Sequence, residues 1–216
     1  MLKFNMKKNV VVSYGLFIIG LFIASMGVAF SAKAGLGTSP VSSVPYSVSL
    51  VSSLFTFGGW LNVLSVIQIF VQILLLRKSC KPVDIIIQTV LAFVYGYLTN
   101  LSSYLISGIV VNSYVESFFY MILSCVILAF GIWVQLQGGV AMLPGEAMNR
   151  AIAQVTGKKY ENIKIFFDVT YIVIAAVICL VFLGKLEGVR EGSIIAAFLV
   201  GLIIKWINKI WIRIRG

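Results

Sequence analysis

Gly27-Val28-Ala29-Phe30-Ser31-Ala32-Lys33-Ala34-Gly35-Leu36-Gly37-Thr38-Ser39-Pro40 has a counterpart later in the chain, Gly131-Ile132-Trp133-Val134-Gln135-Leu136-Gln137-Gly138-Gly139-Val140-Ala141-Met142-Leu143-Pro144. Gly27, Gly35 and Pro40 answer Gly131, Gly139 and Pro144, each 104 residues on. Further along, Ala92-Phe93-Val94-Tyr95-Gly96 answers Ala197-Phe198-Leu199-Val200-Gly201 at an offset of 105. A fixed offset sustained across most of a chain is the mark of internal duplication. Each unit reads as an apolar run, a glycine-proline loop and two further apolar runs. The expected division is residues 1–106 with a loop helix over 35–54, and residues 107–216 with a loop helix over 144–156.

Composition says what surrounds those runs. Of 216 residues, 60% are hydrophobic and 11% charged, and the mean hydropathy is +1.04. A spanning helix takes about 20 predominantly apolar residues. Runs near 10–31, 60–76, 83–106, 115–135, 163–183 and 191–208 supply six. The first run is longer than the roughly 7–15 apolar residues of a secretory signal, so it is read as an uncleaved span. Three spans per unit is odd, so the second unit enters the bilayer from the side opposite the first. The expected fold is therefore all-α, a six-helix integral membrane bundle built from two inverted three-helix repeats, each with a broken or re-entrant segment.

Charge orients the bundle. Of the 17 Lys and Arg, fourteen fall on one side if the N-terminus is inside: Lys3, Lys7, Lys8, Arg77, Lys78, Lys81, Arg150, Lys158, Lys159, Lys164, Lys205, Lys209, Arg213 and Arg215. Only Lys33, Lys185 and Arg190 fall outside. The positive-inside rule then places both termini in the cytoplasm. The net charge of +10 is thus a topological signal and gives no reason to expect nucleic acid. His is absent, and Cys80, Cys125 and Cys179 are scattered, so no metal site, disulfide framework or cofactor is expected. Without His there is no Ser-His dyad, and no enzyme activity is read from the sequence.

The two glycine-proline loops hold the remaining chemistry. Val41 to Leu54 is too short and too serine-rich to span, yet too apolar for a solvated loop. A short helix reconciles the two, capped by Thr38 or Ser39 with Pro40 at its first position, and kinked at Pro45. Gly35 and Gly37 permit the reversal before it. In the second loop Gly139 and Pro144 occupy the same places, and Ala147, Met148, Ala151, Ile152 and Val155 share one face. Non-helical backbone at membrane depth survives only when buried in protein or lining a watery cavity. Helix N-termini meeting there favour an anionic or zwitterionic solute, while the hydroxyls of Thr38, Ser39 and Ser42 would suit a neutral polar one. Glu146 either complements the helix dipole beside Arg150 or faces the cavity to bind a cation, a proton or a basic group. Asp168 either pairs with Lys164 four residues earlier or carries protons. The candidate solute-binding set is Gly35, Gly37, Thr38, Ser39, Pro40, Ser42, Tyr46, Gly139, Pro144, Glu146, Asn149, Lys164 and Asp168. Small-xxx-small pairs at Ala92/Gly96 and Ala197/Gly201 predict that the third and sixth spans cross at the symmetry axis. Gln68, Gln72 and Gln88 read as interhelical hydrogen bonders.

Ala34-Gly35-Leu36-Gly37-Thr38-Ser39-Pro40, after a helix ending in Ser25-Met26-Gly27-Val28-Ala29, resembles the YczE-like branch of the YczE/YyaS/YitT bacterial membrane proteins. So does Arg190-Glu191-Gly192-Ser193-Ile194-Ile195-Ala196-Ala197-Phe198-Leu199-Val200-Gly201. The resemblance implies a multipass protein of a bacterial plasma membrane and assigns no substrate. Val140 to Leu143 depart from it, replacing a more polar stretch expected before Pro144. The function expected is a small-solute transporter or exporter; the alternative is a substrate-capturing or accessory subunit of a larger complex. The partners expected are the lipid bilayer and an unknown small solute, with apolar surface that would also suit a homodimer.

Overall fold

The computed structural model describes residues 10–77 and 82–215, so Lys3, Lys7, Lys8, Lys78, Cys80 and Lys81 lie outside the described residues. Eight helices follow in order: α1 Val10–Ala34, α2 Pro40–Val51, α3 Phe57–Leu76, α4 Pro82–Leu105, α5 Tyr114–Gly138, α6 Pro144–Thr156, α7 Tyr160–Leu183 and α8 Glu191–Arg215. Six are long and apolar enough to cross a bilayer, all but α2 and α6. The protein is a multipass membrane protein, and the apolar side chains along the outer faces of those six helices, such as Phe70, Phe93 and Phe198, meet lipid.

Local chemistry sets the ends. Ser113 and Thr56 cap α5 and α3 by accepting from the N–H groups of Glu116 and Gly59. Acidic side chains open α4, α5, α6, α7 and α8, at Asp84, Glu116, Glu146, Glu161 and Glu191, where they complement the dipole. Gly139, Gly157 and Gly184 close α5, α6 and α7 in the left-handed conformation. Pro40 and Pro144 each take a first helical position, as their fixed φ favours. The first loop helix is shorter than expected, beginning at Pro40 and ending at Val51. It runs through the buried Pro45 as one continuous helix.

At the centre α1 and α5 run antiparallel in close contact. A Cβ at Gly27 would lie 2.6 Å from the Leu128 amide nitrogen, and one at Gly20 would lie 2.8 Å from the Gly131 carbonyl oxygen. Gly138, near the end of α5, faces Ser13 and Phe17 near the start of α1. This pair takes the place expected for the third and sixth spans. Gly96 instead packs against Gly58 and Asn62 of α3, and a Cβ at Gly201 would have no neighbour within 4 Å. Small-xxx-small spacing marked close approach in α4 without specifying which helix approaches.

Around the central pair, α4 packs on α1 and α8 packs on α5. The short α2 lies along α7 and α3, and the short α6 lies along α3 and α7. Two of the buried clusters flank the crossing. One joins Phe17, Leu21 and Leu91 with Val94, Tyr95, Leu98 and Val140; the other joins Met121, Cys125 and Ala196 with Leu199, Val200, Ile203 and Leu36. One pairing has no equal: α3 is packed along α4, whereas α7 and α8 scarcely touch.

Candidate functional site

The segment between α1 and α2 is tied to the α7–α8 connection. Thr38 N–H donates to the Gly188 carbonyl, Gly192 N–H to the Leu36 carbonyl, and Gly37 and Val189 form an antiparallel bridge. Gly37 has φ 92°, and a Cβ there would lie 2.6 Å from the Arg190 amide nitrogen, so only glycine fits. From this anchor α2 runs along α7 toward the C-terminal end of α7. Ser43 Oγ donates to the Pro40 carbonyl at 2.7 Å and reaches the Tyr171 carbonyl at 3.4 Å, near the middle of α7. Cys179 Sγ donates to Ser47 Oγ at 3.2 Å, nearer the end of α7. The N-terminus of α2 therefore lies deep in the bundle, beside the middle of a spanning helix.

The first turn of α6 reaches a comparable depth. A Cβ at Gly145 would touch the Gln68 amide at 3.3 Å, near the middle of α3. Gln68 Nε2 in turn donates to Tyr171 Oη at 2.9 Å, joining the middles of α3 and α7 directly. Beyond that bond lies a cavity of about 300 Å³. Its wall includes Ser39, Pro40, Val41 and Ser42 from the start of α2, and Leu143, Pro144, Gly145, Glu146 and Asn149 from the start of α6. Lys164 and Asp168 come from α7, and Ala197, Val200, Gly201 and Ile204 from α8. Ala24, Val28, Leu61, Leu128 and Ile132 make the rest largely apolar.

Eight of the thirteen candidate residues thus meet in one cavity: Ser39, Pro40, Ser42, Pro144, Glu146, Asn149, Lys164 and Asp168. Five do not. Thr38 is fully buried in the link to Gly188, and Gly37 sits against Arg190 and Ser193. Gly139 is the C-cap of α5. Gly35 and Tyr46 line a second hollow at the other end of the bundle, with Lys33, Val110, Glu187 and Arg190.

Within the cavity, Ser39 does not cap α2 with its hydroxyl. Its Oγ lies 2.6 Å from Ser42 Oγ, and the Ser42 hydroxyl is 3.1 Å from the Ser39 carbonyl, so the two hydroxyls satisfy each other. Lys164 Nζ lies 2.8 Å from Asp168 Oδ2, with the side chains 45% and 20% exposed. That pairing is one of the two roles the sequence left open for Asp168. Its second oxygen, Oδ1, is buried without a hydrogen bond, as is Oδ1 of Asn149, a residue only 5% exposed. Glu146 is accessible through the cavity yet hemmed in by protein. That burial pushes its carboxyl above the usual glutamate range, while Lys164 and Arg150 pull the other way.

Sequence reasoning missed Ser65, Tyr95, Gln135 and Tyr160, which also line the cavity. Gln68, read as an interhelical hydrogen bonder, bonds to Tyr171 as that reading implied and also faces the cavity. A signal existed in part, since Ser65, Gln68 and Gln135 are polar residues inside apolar runs. Lys33, Lys185 and Arg190, the three basic residues expected outside, each have a protein partner. Lys33 Nζ donates to the Ser107 carbonyl at 3.0 Å, Lys185 pairs with Glu187, and Arg190 Nη1 donates to the Gly35 carbonyl at 3.3 Å.

Comparison with known proteins places this architecture. The chain is similar to an uncharacterised Bacillus subtilis (strain 168) protein, YyaS, with 26% identity over 188 residues covering 86% of this chain and 87% of the relative. No solved structure matches it. The YczE/YyaS likeness read from the loop residues is therefore borne out. A family model described as "Family of unknown function (DUF6198)" matches residues 11–209, through both short helices and the cavity they bound. The chain belongs to that family.

Proposed function

We propose that the protein is a carrier for a small solute, built from two inverted repeats and seated in a bacterial plasma membrane with both termini in the cytoplasm. The observation that carries this reading is the convergence of two uncapped helix N-termini, at Pro40 and Pro144, in one cavity between the middles of α3 and α7. Discontinuous helices whose N-terminal ends meet near the bilayer midplane form the binding sites of many carriers with inverted repeats.

The packing supports the duplication. Exchanging α1 with α5, α2 with α6, α3 with α7 and α4 with α8 turns the contacts of α2 on α7 into those of α6 on α3, and those of α4 on α1 into those of α8 on α5. Phe17, Leu21, Val94 and Leu98 of one cluster correspond to Met121, Cys125, Leu199 and Ile203 of the other, at the offsets of 104 and 105 seen in the sequence. The exception is informative for function. α3 and α4 are closed on each other while α7 and α8 stand apart beside the cavity. Two equivalent halves in different arrangements are what alternating access requires, since exchanging the arrangements would move the opening to the other side. The positive-inside distribution orients the whole, with the three outer basic groups held by protein partners.

The test uses a cysteine-free variant carrying a single cysteine at Ser65, on the cavity wall, in reconstituted vesicles of known orientation. A membrane-impermeant thiol reagent is expected to modify it from either side. Modification from one side alone, under every condition tried, overturns the carrier reading in favour of a solute-capturing subunit. Cysteines at Val110 and Lys158 check the topology, and labelling of both from one side removes the inverted arrangement.

A further inference from the structure

Two helix N-termini at a cavity would ordinarily recommend an anion. The groups around these two argue for the opposite sign. The α6 end already carries its own counter-charge in Glu146, in its first turn. At the α2 end the Ser39 and Ser42 hydroxyls are engaged with each other and with the Ser39 carbonyl. The charged side chains on the wall are two carboxylates, Glu146 and Asp168, against one cation, Lys164, which is paired with Asp168 Oδ2; Arg150, off the wall, also acts on Glu146.

The α6–α7 side of the cavity holds spare acceptors. Among the described residues, Asp168 Oδ1 and Asn149 Oδ1 are buried without a hydrogen bond, an arrangement that a donor from a solute would relieve. Asn149, only 5% exposed, is on the wall, and its Oδ1 has no hydrogen bond among the described residues. Two tyrosines also line the cavity, Tyr160 at the start of α7 and Tyr95 of α4. The Tyr160 ring already holds a cation, the Arg150 guanidinium carbon lying 5.8 Å from its centroid. Leu61 of α3 and Leu128 and Ile132 of α5 give the cavity an aliphatic lining, and Tyr95 packs in one cluster with the last two.

We propose that the solute of this cavity is a protonated amine on a compact apolar body, its ammonium seated among Glu146, Asn149 and Asp168 and its body against Leu61, Leu128 and Ile132. An ammonium brings three donors and no acceptor, which matches a site with spare acceptors. A carboxylate would bring only more acceptors beside Glu146. This deepens the carrier reading by naming the solute class of the same cavity, and its test reports binding alone.

The full chain, purified in detergent, is titrated with matched probes while its thermal unfolding is followed: benzylammonium, benzyl alcohol and benzoate, then methylammonium and phenethylammonium with their alcohol and carboxylate analogues. At least one ammonium is expected to raise the unfolding temperature at a concentration tenfold or more below its analogues. Glu146→Gln and Asn149→Leu are each expected to weaken that response tenfold or more, and Glu116→Gln, outside the cavity, to leave it unchanged. A carboxylate that binds as well as its amine overturns the inference, as does an amine response that survives both cavity variants or a panel in which no ammonium outdoes its analogues. Amine binding together with one-sided labelling at Ser65 would remove the carrier and keep the amine site. Two-sided labelling with a preference for benzoate would do the reverse.

Discussion

Adding one methyl group at Gly27 tests whether the α1–α5 crossing holds the bundle together. In Gly27→Ala the new Cβ would lie 2.6 Å from the Leu128 amide nitrogen and 2.8 Å from its Cα, both backbone atoms that no rotamer change can move. Carbon contacts are comfortable at about 3.5–4.0 Å, so the helices must separate by roughly 1 Å. Forced overpacking of this kind costs about 1–3 kcal/mol. Alanine offsets part of that through its helix propensity, worth about 1 kcal/mol over glycine. The expected net loss is about 0–2 kcal/mol, and about 1–3 kcal/mol relative to a glycine-to-alanine change with no clash. Gly15→Ala, on the same helix with nothing within 4 Å of its Cβ, gains the propensity without the clash and should be neutral or slightly stabilising. Gly131→Ala meets Ala24 across the same crossing. Once one methyl has parted the helices the second finds room, so the double variant should lose less than the sum of the two. The assay is equilibrium unfolding in detergent micelles, followed by circular dichroism for all four variants against wild type. If Gly27→Ala proves as stable as Gly15→Ala, the close crossing is refuted.

Two further expectations concern the cavity. Lys164→Met strips Asp168 of its ion-pair partner, and because both side chains keep some exposure the loss should be about 1–2 kcal/mol, below that of a fully buried pair. Adding Asp168→Asn should restore part of that stability, and a double variant less stable than Lys164→Met alone would contradict the pairing. Glu146 supplies a pH dependence. Its carboxyl is raised in the folded protein, so the native state holds that proton to higher pH than the unfolded chain does. The resulting stabilisation is complete below the unfolded value of about 4.3 and fades as pH rises through the folded value. Unfolding profiles from about pH 4 to 7 should therefore show wild type losing stability relative to Glu146→Gln as pH increases. A difference that stays constant over that range would show that burial does not perturb the carboxyl.

The spanning helices were legible because each is a long apolar run, and only a helix satisfies its own backbone in lipid. Five of the six follow the runs within about three residues, whereas α8 continues past the expected 208 to Arg215; α6 occupies the expected 144–156. Its signals are local: a proline at the first position, an acidic residue in the first turn and a glycine stop. The candidate site was only half legible. Ser39 and Glu146 were marked by the loops that carry them, and both reach the cavity. Thr38, Gly37 and Gly139 carry the same local marks but serve the fold, anchoring a linker or ending a helix. Ser65 had no mark distinguishing it from other polar residues in apolar runs, and Tyr160 precedes the run at 163–183 with no mark of its own. They became wall residues because α3 and α7 were brought together through Gln68 and Tyr171.

By itself the sequence determined how many apolar runs can cross a bilayer, where those runs lie, and that glycine and proline recur at a fixed interval. These properties arise from hydrophobic length and backbone stereochemistry, which act within one segment at a time. Only the tertiary structure decided which helices meet. Gly27, Gly96 and Gly201 are alike as residues, yet the first lies against α5, the second against α3, and the third has open space where a Cβ would be. A bare glycine permits a neighbour to approach without choosing one; the choice comes from the simultaneous packing of all eight helices, which also leaves the cavity beside the parted α7 and α8.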